Sequence, residues 1–166
     1  EVGGTVAFMF QEATLLPWLT ATQNVALALR LRGVPRTRRR DLARELLERV
    51  HLGSYADKRP HELSGGMRQR VALARVLAQD APVVVMDEPL GALDAMTRDH
   101  MHDEIERVWA DAGLTVVFVT HNVREAVRLG DRVVLLGSSP GRVVYEEAVT
   151  LTRPRRLDSA EVAERA

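Results

Sequence analysis

The sequence predicts an α/β fold built around a parallel sheet. Short apolar runs recur along the chain, and segments of helical period separate the later ones. The predicted strands are 5–10, Val83–Asp87, 114–120 and 132–137, and the helices between the last three are 94–112 and 122–129. Strands that alternate with helices form parallel βαβ units, because each helix carries the chain back across the sheet.

Three further helices are predicted between the first two strands. The first has Thr20 or Thr22 as its N-cap. The second, which precedes a loop at 51–61, carries one apolar stripe at helical period, formed by Leu42, Leu46, Leu47 and Val50. The third covers 66–79. After a Ser-Ser-Pro-Gly turn, a last strand at 143–147 is predicted to complete an antiparallel hairpin.

The composition indicates a globular protein without a polyanionic partner. The 166 residues are 46% hydrophobic and 28% charged, enough for one domain with a core. Lys+Arg and Asp+Glu both number 23, so no net charge favours nucleic acid or an anionic membrane. Arginines crowd into 30–49, but Asp41, Glu45 and Glu48 interleave with them, which is typical of a solvated helix face.

Cysteine usage and hydropathy bear on the compartment. The chain has no cysteine, which excludes disulfides and fits a reducing environment. No apolar run approaches the about 18–20 residues that span a bilayer, and the first residues are not those of a signal peptide. We therefore expect a soluble, cytoplasmic protein.

Residues 63–70 read Leu-Ser-Gly-Gly-Met-Arg-Gln-Arg and precede a helical pattern. Ser64 can cap that helix with its hydroxyl, and Gly65 and Gly66 let a ligand approach the backbone closely. The N–H groups at a helix start have no intrahelical acceptor and carry partial positive charge. This turn is therefore a candidate phosphate-binding site.

The strand Val83–Asp87 runs directly into a second carboxylate, Glu88. Ligands of open parallel sheets bind at the carboxyl ends of the strands. Two adjacent carboxylates at a buried strand end are costly without a cation or solvent. Asp87 is therefore a candidate Mg²⁺ ligand through water, and Glu88 a candidate general base that polarises an attacking water.

These motifs, followed by Leu-Asp at 93–94 and Thr-His at 120–121, resemble ATP-binding-cassette (ABC) ATPases in their order along the chain. The resemblance identifies 63–70 with the signature motif and 83–88 with Walker B. It implies the core of a P-loop NTPase-like parallel sheet, here partial, with a helical signature subdomain. It also implies ATP and Mg²⁺ as cofactors.

The resemblance assigns a role to each matching residue. Gln11, at the end of the first strand, corresponds to the Q-loop glutamine that reaches Mg²⁺ and the attacking water. Asp94 corresponds to the D-loop aspartate and is also a good N-cap, and His121 to the switch histidine that contacts the γ-phosphate. Ser64, Gly65 and Gly66, hereafter the signature turn, would act in trans on ATP held by another subunit.

Short sequence tags resemble one group of importers within this family. They are Leu-Pro-Trp-Leu-Thr at 16–20, Met67, Ser-Pro-Gly-Arg at 139–142 and Arg-Pro-Arg at 153–155. They are similar to ATPase subunits of nitrate, sulfonate and taurine importers. This implies a cytoplasmic protein, peripheral on the inner face of the membrane, which drives uptake of a small anion. Trp18 would be either a core residue or a contact to the membrane subunit.

The same resemblance implies the partners. They are a transmembrane permease subunit, a second ATPase subunit in a head-to-tail dimer and, indirectly, a solute-binding protein. It implies no nucleic-acid partner.

The predicted helix at 94–112 carries two histidines, His100 and His102. They are two residues apart, so they face different ways and are not expected to bind metal.

The family's phosphate-binding loop, Gly-x-x-x-x-Gly-Lys-[Ser/Thr], does not occur in the sequence, whose only lysine is Lys58. We interpret 1–166 as a partial ABC ATPase domain whose front lies upstream, and expect this chain alone to be inactive. Residues 12–80 would form the helical signature subdomain, 1–11 and 81–150 part of the RecA-like core, and 151–166 a C-terminal tail.

Two other functions compete with the importer ATPase. The missing loop favours a non-catalytic fragment or partner subunit, whereas the intact Glu88 and His121 argue against one. Chromosome and DNA-repair ATPases share these motifs but carry long coiled coils between them. Residues 12–62, which separate Gln11 from the signature motif, contain no sustained heptads.

Overall fold

The computed structural model describes residues 6–139, 141–155 and 162. They form two compact units, of which the first ends at Val119 and the second begins at Thr120. The boundary follows a strand and precedes the histidine at 121.

A three-stranded parallel sheet forms the centre of the first unit. Its strands are β1 (Val6–Met9), β2 (Val83–Asp87) and β3 (Thr115–Val119), with β2 in the middle. Val83 lies beside Val6 on one side and Thr115 on the other. The predicted parallel sheet is confirmed here, with strand ends within one residue of the prediction wherever the structure describes them.

Four helices accompany this sheet. They are α1 (Ala21–Leu31), α2 (Arg36–Arg49), α3 (Gly65–Leu77) and α4 (Ala95–Ala112). Thr20 caps α1 in a reciprocal capping box with Gln23, whereas the Thr22 hydroxyl donates to the Ala56 carbonyl at 2.8 Å. The segment predicted as a loop at 51–61 contains two short 3₁₀ helices, Gly53–Tyr55 and Pro60–Glu62.

One face of the parallel sheet packs on these helices. Its buried strand residues share one core with the helices, and they are Ala7, Met9, Val84 and Met86. On the opposite face, Phe8 is 52% and Val117 49% exposed. Parallel sheets are ordinarily covered on both faces, and within the described residues only the helical face of this one is.

The basic segment lies on α2 and faces solvent, as predicted. Ala43 and Leu47 are the buried residues of this helix. Arg36, Arg38 and Arg40 are exposed. The side chain of Arg44 donates to Asp57 at 2.6 Å. The arginines are thus solvated or paired within the chain.

The second unit consists of α5 (Val123–Leu129), β4 (Arg132–Ser138) and β5 (Gly141–Ala148). β4 and β5 form an antiparallel pair, in which Ser138 lies opposite Gly141. The predicted antiparallel hairpin is therefore confirmed, whereas the prediction that the strand at 132–137 also belongs to the parallel sheet is wrong within the described residues. The short turn brings β5 directly beside β4, and a connection of this length permits only antiparallel pairing. Pro140, part of the predicted turn, lies outside the described residues.

In the described part of the chain no helix combines the length and apolar character needed to cross a bilayer. No group of three or more His, Cys, Asp or Glu side chains in the same residues could hold a metal ion. His102 is fully buried and His100 exposed, so the two face different ways as predicted.

Candidate functional site

The carboxyl ends of β1 and β2 bring the first predicted site residues together. Gln11 follows β1, and β2 ends in Asp87 with Glu88 next, so all three lie at one edge of the sheet. A β-carbon at Gly91 would lie 3.2 Å from Gln11 Nε2 and 3.5 Å from Glu88 Oε2. The amide and the carboxylate therefore border the same glycine, which leaves room for both.

The backbone at Glu88 adopts a strained conformation. Its φ is +42°, a conformation that non-glycine residues seldom adopt and that costs about 1–3 kcal/mol. Two hydrogen bonds hold it there, from the Glu88 N–H to the Val119 carbonyl at 2.9 Å and from the Gly91 N–H to the Glu88 carbonyl at 3.1 Å. Strain of this kind clusters at functional sites. Glu88 is half-buried, while Asp87 is exposed.

The signature turn begins α3, as predicted. Ser64 is the N-cap, and its Oγ accepts the Met67 N–H at 3.2 Å. The N–H groups at the first helical positions, Gly65 and Gly66, lie beyond the reach of intrahelical acceptors. Ser64 and Gly65 are exposed. A phosphate can therefore approach this helix start from solvent.

Gly66 has a second role that the sequence analysis missed. It is buried, and a β-carbon there would collide with Cγ2 of Thr97 in the first turn of α4. Gly65 faces Leu93 more loosely, at 3.8 Å from its Cδ2. The small residues of the signature turn thus also allow α3 and α4 to approach each other at their starts.

Asp94 is the N-cap of α4, and its carboxylate accepts two hydrogen bonds from Thr97. Oδ1 accepts the Thr97 N–H at 3.0 Å, and Oδ2 accepts the Thr97 hydroxyl at 2.7 Å. These bonds favour the ionised form and hold the pKa of Asp94 below its ordinary value. Because Thr97 also contacts the position of Gly66, the signature turn and the predicted D-loop aspartate are neighbours.

His121 lies in the second unit and is exposed. Beside it, the Thr120 hydroxyl donates to Glu125 at 2.7 Å and accepts the Asn122 N–H at 3.0 Å. Asn122 in turn caps α5 through Arg124. These bonds order the segment that carries the histidine, and its part in a nucleotide site stays a prediction.

Two residues of α3 that the sequence analysis did not single out hold the segment after β1. Gln69, which is 3% exposed, donates from Nε2 to the Gln11 carbonyl at 2.5 Å. Arg75 donates to the carbonyls of Ala13 and Thr14, at 3.0 and 2.9 Å. Burial lowers the pKa of Arg75. The sequence offered a signal only for Arg75, which interrupts an otherwise apolar stretch of helix, whereas Gln69 lies between Arg68 and Arg70.

This edge of the sheet presents side-chain oxygens that can bind a hard cation, and beside them a carboxylate that can activate a water molecule. Carboxylate and amide oxygens are the ligands that Mg²⁺ prefers, and Asp87 and Gln11 supply them beside Glu88. The residues present therefore fit the predicted cation.

The chain is similar to known proteins over most of its length. Residues 1–91 match the family described as ABC transporter. An ABC transporter ATP-binding protein of Methanocaldococcus jannaschii is 45% identical over 98% of this chain and 61% of its own length. A taurine import ATP-binding protein of Mesorhizobium japonicum is 52% identical over 86% of this chain and 55% of its own.

An aliphatic sulfonates import ATP-binding protein of Burkholderia cenocepacia is 50% identical over 98% of this chain and 49% of its own. Among solved structures, an ATP-binding cassette in a dimeric post-hydrolysis state, bound to ADP and Pi, superposes with a TM-score of 0.73. That structure is 36% identical, and the match covers 89% of this chain and 64% of the other.

The chain thus spans about half to three fifths of the length of the relatives it matches. The family match covers more than half of this chain and includes both the signature turn and the adjacent carboxylates at the end of β2. The chain belongs to the ABC transporter family.

Proposed function

We propose that this chain is part of the ATP-binding subunit of an importer that couples ATP binding and hydrolysis to uptake of a small anion such as taurine, a sulfonate or nitrate. The names of the taurine and sulfonate relatives support the class of solute. The meeting of Gln11 and Glu88 at Gly91, beside Asp87, is the observation that carries the proposal.

In this proposal the residues at the sheet edge carry out hydrolysis. Bound Mg²⁺ would neutralise charge on the phosphates, and Asp87, through water, and Gln11 would hold it. Glu88 accepts the proton of the water that attacks the γ-phosphorus, while the bond to the ADP oxygen breaks and ADP and phosphate leave. His121 donates a hydrogen bond to the γ-phosphate.

The signature turn would complete the site of a second ATPase subunit. Ser64 and Gly65 are exposed at a helix start, where free N–H groups and the helix dipole favour a phosphate. In a head-to-tail dimer these groups, with Asp94 beside them, face ATP bound to the partner. The dimeric ADP-bound relative is consistent with such an arrangement.

The transmembrane permease is the second proposed partner. Trp18 is 66% exposed, which argues against a core role and favours a contact. A groove of about 430 Å³ lies close to this segment and has an apolar wall formed by Leu16, Leu27, Ala28 and Leu31. Docking there would hold the subunit peripherally on the cytoplasmic face of the membrane, with the solute-binding protein engaged only through the permease and no nucleic acid involved.

A non-catalytic fragment or partner subunit is the alternative. The test uses two proteins, the 166-residue chain and an extended chain. The extended chain is this chain preceded by a segment of a relative that carries the first strands and a Gly-x-x-x-x-Gly-Lys-[Ser/Thr] loop. We expect calorimetry to detect micromolar Mg-ATP binding only by the extended chain, and phosphate release likewise.

Turnover by the 166-residue chain itself would contradict the need for the loop. An extended chain that binds Mg-ATP and releases no phosphate would contradict the proposed enzyme and favour the non-catalytic alternative. The division into a helical subdomain at 12–80, core parts at 1–11 and 81–150 and a tail at 151–166 remains a prediction.

A further inference from the structure

The segment that carries Gln11 has little secondary structure of its own. β1 ends at Met9, and the next helix begins at Ala21. Gln11 itself is exposed, yet its side chain reaches the glycine that borders Glu88. Each loop residue adds two soft backbone dihedrals, so something outside the loop must hold Gln11 at the catalytic carboxylate.

Side chains from two helices hold this loop at both ends. At the far end Asn24, which is 1% exposed, accepts the Leu16 N–H at 2.9 Å and donates to the carbonyls of Leu16 and Leu19 at 3.2 Å. At the near end the anchors are Gln69 and Arg75 of α3. Of these side chains, Gln69 and Arg75 are the ones that bond to residues close to the carboxyl end of β1.

The direction of the hydrogen bond between Gln69 and Gln11 follows from the chemistry of the two groups. The Gln11 carbonyl can only accept, so the group that faces it at 2.5 Å must be the amide nitrogen. The other amide atom, Oε1, is buried with no hydrogen-bond partner among the described residues. A buried acceptor without a donor is unfavourable. The side chain therefore keeps this orientation because of its bond to Gln11.

Arg75 holds Ala13 and Thr14, which follow Gln11 in the same loop. Besides the two carbonyls, it donates to Thr14 Oγ1 at 3.0 Å. Thr14 has a φ of +41°, so its backbone lies in a conformation that needs support from outside. Gln69 and Arg75 lie on the helix that Ser64 caps, so one rigid element carries both the signature turn and the tether.

We propose that Gln69 is a positioning residue for ATP hydrolysis, which fixes the backbone of Gln11 to α3 so that the Gln11 side chain stays at Glu88, with Arg75 holding Ala13 and Thr14. A shift of α3 when its N-terminus takes up a phosphate would then move Gln11 as well. This inference rests on the proposed function, since it assigns a part in that reaction.

The test replaces Gln69 with methionine in the extended chain, which keeps the length of the side chain and removes the donor. The matched control is Thr22→Val, which also removes a buried side-chain bond to a distant carbonyl, Ala56, but lies away from the site. Both variants lose a buried hydrogen bond, so we expect similar decreases in the unfolding temperature.

Only Gln69→Met should affect the reaction. A misplacement of about 1 Å costs about 10²-fold in rate, so we expect kcat to fall by about 10- to 100-fold while KM for ATP stays within about threefold. Amide hydrogen exchange of residues 11–15 should also speed up in Gln69→Met alone. Thr22→Val should match the parent in kcat and in exchange at 11–15.

A parent extended chain without turnover contradicts the proposed function, and the exchange measurement then still tests the tether. Normal turnover in the parent, with kcat of Gln69→Met within twofold of it, overturns the inference. Unchanged exchange at residues 11–15 in Gln69→Met overturns it as well, because the bond would then not hold the loop.

Discussion

The Cγ2 methyl of Thr97 occupies the space that a side chain at Gly66 would need. Gly66 lies in the first turn of α3 and Thr97 in the first turn of α4, so the two helix starts meet at a contact that only glycine permits. Thr97 also donates two hydrogen bonds to the Asp94 carboxylate. One threonine therefore joins the signature turn to the cap of α4, which explains why both motifs contain small or capping residues.

This contact predicts the effect of Gly66→Ala on stability. Alanine gains about 1 kcal/mol over glycine within a helix, but overpacking costs about 1–3 kcal/mol. We expect a net decrease of up to about 2 kcal/mol in the free energy of unfolding, measured by urea denaturation of the extended chain. In a Thr97→Ser background, which removes Cγ2 and keeps the hydroxyl, the decrease should largely disappear. An equal decrease in both backgrounds would show that Thr97 is not the obstacle.

Glu88→Gln should separate binding from hydrolysis in the extended chain. The amide keeps the shape of the carboxylate and cannot take a proton, and general-base assistance contributes about 10²–10⁴-fold. We expect phosphate release to fall by that factor while calorimetry still shows Mg-ATP binding. Glu45→Gln, on the exposed face of α2, is the matched control and should keep parental turnover. Turnover of Glu88→Gln within threefold of the parent would make the assignment wrong.

His121→Ala should also lose most of the activity of the extended chain. Its imidazole is proposed to donate to the γ-phosphate, and a lost hydrogen bond to a charged group weakens stabilisation by about 1.5–3 kcal/mol, or roughly 10- to 150-fold in rate. Steady-state phosphate release measures the loss. His100→Ala, at another exposed histidine, is the control. Equal activities of the two variants would remove His121 from the reaction.

The trans role of the signature turn can be tested by dimerisation. With Glu88→Gln blocking hydrolysis, the extended chain should form a dimer with Mg-ATP on size-exclusion chromatography. Adding Ser64→Arg should prevent the dimer, because the longer side chain fills the space for phosphate oxygens, while ATP binding by the monomer survives. Ser54→Arg, an exposed serine elsewhere, should still dimerise. A dimer of undiminished strength with Ser64→Arg would mean that the turn is only a helix cap.

Asp94 should contribute to stability in a pH-dependent way. Its pKa is held below the ordinary value in the folded chain by its bonds from Thr97, so the folded state binds fewer protons than the unfolded state as the carboxyl titrates. The stabilisation is complete at pH values above the pKa of Asp94 in the unfolded chain, about 3.9. It is lost as the pH falls through the lower pKa of the folded chain. Urea denaturation between pH 7 and pH 3 should give the parent a larger free energy of unfolding than Asp94→Asn at neutral pH. This difference should become smaller as the pH falls. A constant difference would mean that the charge plays no part.

Much of the fold was predictable because its signals are local. Valine-rich strands, the Thr20 and Asp94 caps and the helix that follows Ser64 each depend on residues within a few positions, and their ends agree closely with prediction. The parallel sheet also follows from the alternation of strand and helix. The adjacent carboxylates at the end of β2 place two site residues at the sheet edge from the sequence alone.

Other features depended on contacts between distant parts of the chain. The sequence by itself determined the strands, the helices, the signature turn and the carboxylate pair, since their periodicity and capping patterns are short-range. Only the tertiary structure decided that β4 lies outside the parallel sheet, that Thr97 requires Gly66, and that Gln69 holds Gln11. The physical reason is that periodicity fixes which face of an element is apolar, whereas packing in three dimensions selects the partner that each polar or small residue meets.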